Sequence, residues 1–367
     1  MNIALDANEA NTKTRVGTGQ YTYNLLNHWS KVTGHSFDCY LRRSQQLDLP
    51  PVSDFWHYHV TGPQKAWTRL SLPFNLLLAT GKYDVFWNPA HYLPPYTGCP
   101  SVVTVHDLAY EYFPDLFLDS DLYKLRRWTR LSVKSATKII AVSESTKTDL
   151  VKLYKTDPSK IKVVYNGYDD KLFNTTSKLN KTLLARYNIQ NTKYILFVST
   201  IQPRKNVVKL VQAFRLLKEA GYSGKLVIAG KVGWMAEESL AVIKGSPDHK
   251  DIVMTGYISD ETRQVLYRYA DVSVLPSLYE GFGVSVLEAM ASGAPTVASD
   301  NSSLPEVMGD AGIMFNPIDP ADIARAIFEI KKDRDRWIKL GLDNVKRFSW
   351  DKCADETLKV LTSVNIR

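Results

Sequence analysis

The chain contains little cysteine, and its cysteines form no recognisable metal or disulfide pattern. Three of its 367 residues are cysteines, Cys39, Cys99 and Cys353, and they lie too far apart for the short spacings that hold zinc. Because disulfides form mainly in oxidising compartments, the simplest interpretation is three reduced structural thiols in a cytoplasmic protein.

Long apolar runs, a secretory pattern and a strong excess of one charge are also missing. No run approaches the ~20 apolar residues that a membrane-spanning helix requires, and residues 1–6 predict a strand, not a charged and then apolar leader. We expect a chain that is soluble or at most attached to a membrane surface. The net charge of +8 allows contact with phosphates or anionic lipid but does not demand nucleic acid, so we predict no nucleic-acid partner.

What is present is a long alternation of buried strand patterns and helical patterns. With 44% hydrophobic and 23% charged residues, the chain can build two sizeable α/β cores. Apolar, β-branched runs bounded by turn residues imply parallel sheets. The strands are predicted over residues 2–7, 36–41, 83–87, 101–105, 138–142 and 162–165, and over 194–199, 225–229, 252–254, 272–275, 295–298 and 313–315.

Between the first strands, one region has no clear period. Residues 44–63 are rich in Pro, His and aromatics and predict a long loop or a partly ordered excursion, and residues 67–78 predict an amphipathic helix. Asn166-Gly167 is a turn signal that ends the first domain, and a polar linker follows.

The most informative stretch is residues 277–298, where two carboxylates bracket a Gly-Phe-Gly turn. A predicted strand runs into the turn and a helical pattern leaves it. A strand, a glycine turn and a helix together can hold a phosphate at the helix N-terminus. Glu280 and Glu288, one on each side, suggest a ligand that carries hydroxyls as well as phosphates.

Two more strand-to-helix corners carry candidate residues. Gly17 and Gly19 follow the first strand and let backbone approach a ligand, although a tight turn explains them equally well. Arg204 and Lys205 follow the strand at 194–199, where their charge and a helix dipole both favour an anion. Exposed Arg-Lys pairs are common, so this pair alone is weak evidence.

The first half adds a His-Asp pair and a basic helix. His106 and Asp107 follow the strand at 101–105, at the end where open α/β sheets bind ligands; a capping Asp beside a hydrogen-bonded His is the structural alternative. The helix predicted over residues 122–136 carries five Lys and Arg residues. It presents either a solvated face or a surface for anionic lipid headgroups or a phosphorylated acceptor.

Six motifs in order along nearly the whole chain resemble a retaining glycosyltransferase of the family 4 type. The most specific is the Glu-x7-Glu signature from Glu280 to Glu288. The others are Gly17-x-Gly19-x-Tyr21, His106-Asp107, Val163-Val-Tyr-Asn-Gly167, Pro203-Arg-Lys-Asn206 and Phe348-Ser-Trp350. The loop at Gly17 and the run Thr104-Val-His-Asp-Leu108 look most like bacterial mannosyltransferases of polysaccharide assembly.

The resemblance implies the α/β class with two Rossmann-like, doubly wound domains facing across a cleft, the GT-B architecture. Residues 1–170 would form the acceptor domain and residues 171–348 the nucleotide-sugar donor domain. Residues 349–367 would form a helix that returns toward the N-terminal domain.

It also implies roles for site residues. Glu288 would hold the ribose hydroxyls, and Glu280 would read the donor sugar hydroxyls. His106 would lie near the transferred sugar and stabilise charge at the reacting centre. The donor diphosphate would meet Arg204, Lys205 and the backbone of Gly17, Gly19, Gly283 and Val284. Further donor contacts are expected from Asp107, from the amides of Gly281 and Phe282, and from loops near Gly230 and Tyr257.

The implied reaction moves a hexose, expected to be mannose, from a GDP- or UDP-linked donor with retention of configuration. Same-face attack is the favoured route, and Glu280 as a covalent nucleophile is the other. No cofactor and no metal is expected, because no Asp-x-Asp pair is placed to hold one. The acceptor would be a saccharide or lipid-linked saccharide, and the location would be cytoplasmic or peripheral on the inner face of the membrane.

Three alternatives stay open at this point. A nucleotide-sugar epimerase and a sugar phosphorylase can have the same GT-B architecture, and a non-catalytic nucleotide-sugar-binding protein could also be built from two Rossmann-like domains. A phosphorylase needs no nucleotide, so stabilisation by nucleotides separates it from the other candidates.

Overall fold

The computed structural model describes residues 1–364; the last three positions of the predicted closing segment, 365–367, lie outside the described residues. The chain divides into two compact units: Met1–Gly167 together with the closing helix, and Tyr168–Ser349. No helix among the described residues combines the length and the apolar character needed to cross a membrane.

The first unit contains a seven-stranded, all-parallel sheet with the order β3-β2-β1-β4-β5-β6-β7. Its strands are β1 (Asn2–Asp6), β2 (Ser36–Leu41), β3 (Trp56–Val60), β4 (Val85–Asn88), β5 (Ser101–Val105), β6 (Lys138–Ala141) and β7 (Ile161–Val163). Its helices are α1 (Thr18–Trp29), α2 (Ser71–Leu78), α3 (Ala109–Tyr112), α4 (Asp119–Ser135) and α5 (Glu144–Tyr154).

The second unit contains a six-stranded parallel sheet with the order β10-β9-β8-β11-β12-β13. Its strands are β8 (Tyr194–Val198), β9 (Lys225–Ala229), β10 (Ile252–Gly256), β11 (Val272–Leu275), β12 (Thr296–Ser299) and β13 (Ile313–Phe315). Its helices are α6 (Val207–Glu219), α7 (Glu237–Gly245), α8 (Asp260–Tyr269), α9 (Val284–Ala291), α10 (Leu304–Met308), α11 (Pro320–Ile330) and α12 (Arg334–Asn344).

Both sheets reverse their strand order once, between β1 and β4 in the first unit and between β8 and β11 in the second. In open parallel sheets the crevice at such a reversal is where ligands bind. The predicted α/β class with two doubly wound, Rossmann-like domains is therefore confirmed.

The closing helix α13 (Trp350–Thr362) packs on α1 in the first unit. The Trp29 indole donates to the carbonyl of Ala354 at 3.0 Å. His28 lies between the carboxylates of Asp351 and Asp355, each 2.9 Å from one ring nitrogen. The return of the last helix to the N-terminal domain is thus confirmed.

Two predictions in the first unit were wrong in part. Residues 44–63 contain an edge strand, β3, which pairs with β2 in parallel. No alternation marks this strand, because Trp56 is fully buried and the next three residues are all partly exposed. The helix predicted from residue 67 begins at Ser71, because Ala66 has a left-handed backbone (φ 57°) and Trp67 turns inward to donate to Thr61.

Candidate functional site

The glycine turn between β11 and α9 is the centre of the candidate site in the second unit. Gly283 is the N-cap of α9, with a left-handed φ of 100° that strains any other residue. A Cβ there would lie 2.7 Å from Cδ2 of Leu304. The hydroxyl of Ser303 donates to the carbonyls of Glu280 and Phe282 at 3.0 and 2.9 Å, which fixes the turn.

Glu280 is buried in this turn and is held by two cations and a hydroxyl. Lys205 donates to Oε1, and an Arg204 guanidinium nitrogen lies 3.3 Å from Oε2. Ser277 donates to Oε1 at 2.6 Å. Arg204 also donates to the carbonyl of Tyr279. The structure therefore brings three of the predicted catalytic residues together, with both carboxylate oxygens engaged.

The electrostatics of this cluster keep Glu280 ionised. Burial acts to raise the pKa of Glu280, but the charges of Lys205 and Arg204 and the hydrogen bonds outweigh it and lower the pKa to about 2. One carboxylate between two cations leaves a net positive charge, which suits an anionic ligand.

Glu288 lies on α9 in a separate group of side chains. Its Oε1 is 3.5 Å from a guanidinium nitrogen of Arg263, and the hydroxyl of Tyr267 is 3.5 Å from Oε2. Burial raises the pKa of Glu288 to about 7, against the attraction of Arg263 and with added repulsion from Asp260. This carboxyl therefore changes charge near neutral pH, unlike Glu280.

Sequence reasoning missed Arg263 and Tyr267, although a signal was available. Both lie on α8, whose start was predicted, and their spacing of four residues places them on one helix face. The Arg263 guanidinium also stacks 4.9 Å from the ring centre of Phe173. Ser303 was unpredictable, because its partner carbonyls belong to a different segment of the chain.

Gly230 and Tyr257 follow β9 and β10, which are neighbours in the sheet. The amide of Gly230 donates to the carbonyl of Gly256 at 3.0 Å. Tyr257 is 66% exposed, and Trp234, which sequence reasoning did not single out, is 40% exposed in the loop after β9. Exposed aromatic rings at strand ends offer flat faces for a planar ligand group.

In the first unit, the glycine loop leads directly into α1. Gly17 is the N-cap of α1, with φ 50°. Gly19 has a reason to be glycine within the protein itself, because a Cβ would lie 2.8 Å from the carbonyl oxygen of Glu9. Two residues on, the ring of Tyr21 packs edge-on against His106 with centroids 4.9 Å apart. The glycine loop and the His-Asp pair are therefore close together.

His106 and Asp107 make the local hydrogen bonds of the structural alternative. A nitrogen of His106, Nε2, lies 2.7 Å from the carbonyl of Pro89, and Asp107 accepts from the amide of Ala109 at 3.1 Å. Burial and the nearby His91 lower the pKa of His106 to about 4. The ring is neutral at pH 7, so Nε2 donates to Pro89 and Nδ1 is left as an acceptor.

Metal-ligating residues do not cluster in the described part of the chain. No group of three or more His, Cys, Asp or Glu side chains within residues 1–364 is arranged to hold a metal ion. The three cysteines are free thiols.

Comparison with known protein families matches both halves of the chain. Residues 16–172 match the model described as Glycosyltransferase Family 4, and residues 181–342 match the model described as Glycosyl transferases group 1. The O-antigen chain mannosyltransferase B of Escherichia coli is 30% identical over 279 residues, which cover 75% of this chain and 73% of that protein.

Solved structures share the fold over the full length. Sucrose-phosphate synthase from Thermosynechococcus elongatus superposes with a TM-score of 0.76 at 20% identity, covering 99% of this chain and 98% of that one. Anabaena HepE, solved in complex with UDP-glucose, gives a TM-score of 0.76 at 17% identity, covering 99% and 100%. At these identities the likeness concerns the fold alone.

Proposed function

Because this chain belongs to the family 4 glycosyltransferases, we propose that it transfers a hexose from a nucleotide diphosphate sugar, with retention of configuration. The observation that carries the proposal is the cluster in which Arg204 and Lys205 enclose Glu280 beside the N-terminus of α9. The mannosyltransferase relative in O-antigen synthesis favours mannose as the hexose and a cell-surface polysaccharide as the product.

The cluster has the charge that the reaction requires. Breaking the sugar–phosphate bond leaves negative charge on the diphosphate and positive character on the anomeric carbon. Arg204, Lys205 and the α9 N-terminus at Gly283 and Val284 would stabilise that diphosphate, because preorganised cations and amides aimed at developing charge lower the barrier. The net positive charge of the cluster, after Glu280 is counted, supports this role.

Glu280 is proposed to bind the donor sugar, together with the amides of Gly281 and Phe282. Both of its oxygens are already held by Lys205, Arg204 and Ser277. Oε2, which contacts only Arg204 among the described residues, keeps an acceptor site for a sugar hydroxyl. Against the effect of burial, the two cations lower the pKa of Glu280 to about 2 and make its carboxylate a weak nucleophile, which supports same-face attack over a covalent intermediate. The leaving phosphate would then accept the proton of the acceptor hydroxyl.

The contacts proposed for Glu288, Tyr257, Gly230, Gly17 and Gly19 follow the sequence predictions, whereas the roles of His106 and Asp107 differ from them. Glu288 would accept hydrogen bonds from the ribose hydroxyls, and the exposed ring of Tyr257 beside Gly230 would face the base. Gly17 and Gly19 would approach the diphosphate. His106, being neutral with Nδ1 as an acceptor, would receive a hydrogen bond from a sugar hydroxyl in place of supplying charge, and Asp107 would support its loop.

We propose further that no metal or cofactor takes part, since Arg204, Lys205 and the N-terminus of α9 together can stabilise the diphosphate. The acceptor would be a saccharide or a lipid-linked saccharide. A location in the cytoplasm, peripheral on the inner face of the membrane, would suit a lipid-linked acceptor.

A donor screen tests the function directly. The full chain is incubated with GDP-mannose, UDP-glucose and other nucleotide sugars, with and without saccharide acceptors, and released nucleotide diphosphate is measured. The Anabaena structure holds UDP-glucose, so both bases belong in the screen. Release from GDP-mannose but not from UDP-sugars would support the mannosyl assignment.

Release from UDP-sugars but not from GDP-mannose would contradict the assignment of mannose as the transferred hexose, and it would still support a glycosyltransferase. Thermal stabilisation by nucleotide without any release of diphosphate would indicate a binding protein or an epimerase. Product formation from sugar 1-phosphate without nucleotide would indicate a phosphorylase. We expect turnover to persist in the presence of EDTA. If EDTA abolished turnover and a divalent cation restored it, the proposal that no metal takes part would be contradicted.

A further inference from the structure

Helix α2 exposes one entire apolar face to solvent. Leu72 and Leu76 are buried against the sheet, whereas the opposite side of the helix and its N-cap carry four exposed apolar side chains. Their exposed fractions are 63% for Leu70, 61% for Phe74, 53% for Leu77 and 72% for Leu78. The helix contains no charged residue. So much contiguous apolar surface on a short helix indicates an interaction site.

Helix α4 lies beside α2 on the same face of the first sheet. Leu72 and Leu76 of α2 and Val133 of α4 belong to one buried core cluster. The Arg69 guanidinium, just before α2, lies 5.4 Å from the ring centre of Trp128 on α4. The outer surfaces of the two helices are therefore neighbours and face away from the sheet together.

The outer surface of α4 is basic with apolar rings and chains interspersed. Two exposed acids, Asp119 and Asp121, lie in its first turn, and Asp121 is 3.6 Å from Lys124. The exposed apolar and basic residues that follow and do not pair with Glu111 are Tyr123, Lys124, Arg127, Leu131 and Lys134. We call these five residues, with the four on α2, the α2–α4 surface. Arg126 and Arg130 pair with Glu111, whereas Arg127 lies over the ring of Tyr123 at 6.0 Å.

A cavity of about 730 Å³ opens in this region of α4. Its lining combines apolar, acidic and basic side chains: Leu122 and Tyr123, Glu111 and Asp119, and Arg126, Arg127 and Arg130. Because Arg126 and Arg130 pair with Glu111, we assign the contact with a phosphate at this opening to Arg127.

From the exposed apolar side chains of α2 and the neighbouring cations of α4, we infer that the α2–α4 surface docks the protein on an anionic lipid bilayer. The apolar face of α2 enters the acyl boundary, and the cations of α4 contact the lipid phosphates. A bilayer interface offers both chemistries side by side, apolar chains below and negative headgroups above. This deepens the peripheral location proposed above, and its test is independent of the donor screen.

Vesicle flotation tests the inference with the full chain. Vesicles of phosphatidylcholine alone are compared with vesicles that also contain phosphatidylglycerol. The chain is expected to float only with the anionic vesicles, and binding is expected to weaken as salt is raised. Flotation with neither kind, or equally with both, would overturn the inference.

Single substitutions separate the two parts of the surface. Phe74→Ser should weaken binding about tenfold or more, because one large apolar side chain no longer enters the membrane. Arg127→Glu should weaken it at least about fivefold, from the loss of one cation at an anionic surface. The matched controls are Phe328→Ser, an exposed Phe on α11, and Lys31→Glu, an exposed Lys just after α1. Equal losses in the controls would contradict the assigned surface.

Two further measurements complete the test. Turnover of each variant with a water-soluble acceptor should equal that of the unchanged chain, which shows that the variants fold and that the donor chemistry is separate. Light scattering at several protein concentrations should show a monomer. A dimer that Phe74→Ser dissociates would overturn the inference in favour of a second copy of the chain covering α2.

Discussion

At the residue scale, Glu280 and Glu288 belong to one sequence signature but have opposite pKa shifts. Both are buried. Glu280 lies against two cations and stays ionised, whereas Glu288 has one guanidinium at 3.5 Å and a pKa of about 7. The difference follows from the number and closeness of the cations, because the penalty of burial acts on both carboxyls.

Glu288→Gln should change both donor binding and the pH dependence of stability. If Glu288 holds the ribose, loss of the charged acceptor weakens nucleotide affinity by about 1.5–3 kcal/mol. In the unchanged chain, affinity should fall as pH drops below about 7, because the carboxylate becomes protonated. Isothermal titration with the nucleotide on both sides of that pH checks this, and an unchanged affinity in the variant would remove the ribose assignment.

The raised pKa of Glu288 also predicts how stability responds to pH. A folded pKa raised from 4.5 to about 7 gives a contribution that is complete below 4.5 and is lost as pH rises through 7. Each tenfold difference between the acid dissociation constants of Glu288 in the folded and unfolded chain changes the free energy of unfolding by about 1.4 kcal/mol. Glu288→Gln cannot ionise, so above pH 7 the variant should protect α9 amides from hydrogen exchange better than the unchanged chain does. Equal protection would show that the carboxyl is not desolvated.

Glu280→Gln should destabilise the second unit and reduce turnover. The substitution removes the buried carboxylate that pairs with Lys205 and Arg204, and breaking a buried ion pair in this way costs about 3–5 kcal/mol. Urea unfolding followed by hydrogen exchange of α6 and α9 measures the first effect. Diphosphate release measures the second. Full stability in the variant would show that other partners, not Glu280, neutralise the two cations.

At the element scale, α9 begins after its N-cap, Gly283, where the backbone conformation and the neighbouring Leu304 leave no room for a side chain. Gly283→Ala places a Cβ against Leu304 in a left-handed backbone conformation, which should cost about 1–3 kcal/mol. Gly245→Ala is the control, since nothing lies within 4 Å of its added Cβ, and it should change stability by less than about 0.5 kcal/mol. Denaturation of both variants gives the comparison, and equal values would contradict the steric argument.

At the scale of the whole molecule, the closing helix completes a core whose other members lie at the start of the chain. Leu361 is fully buried in the cluster that contains Leu5, Leu25 and Trp29. Leu361→Ala should therefore cost about 2–5 kcal/mol and expose β1 and α1 to hydrogen exchange, while β8 and β11 keep their protection. Lys359→Ala, on the exposed side of α13, is the control and should leave the protection unchanged. If Leu361→Ala instead reduced protection in the second unit, the division of the chain into two compact units would be contradicted.

The sequence by itself determined most of the strands, the helices and the residue types of the candidate site. These features are local: β-branched runs, helical spacing and turn residues mark them within a few positions, as at β5 and at the Ser143 and Ser259 caps. The family resemblance added the doubly wound fold, which the sheets and comparisons confirm, and residue roles that stay predictions.

Only the tertiary structure decided which side chains share an environment. The pairing of Glu280 with Lys205, the contact of Glu288 with Arg263 and the neutral state of His106 depend on segments that are distant in sequence. The same holds for the exposed face of α2, because its Leu and Phe residues look like core until the sheet shows which side is already covered. Burial and charge depend on the neighbours in space, and the fold supplies those neighbours.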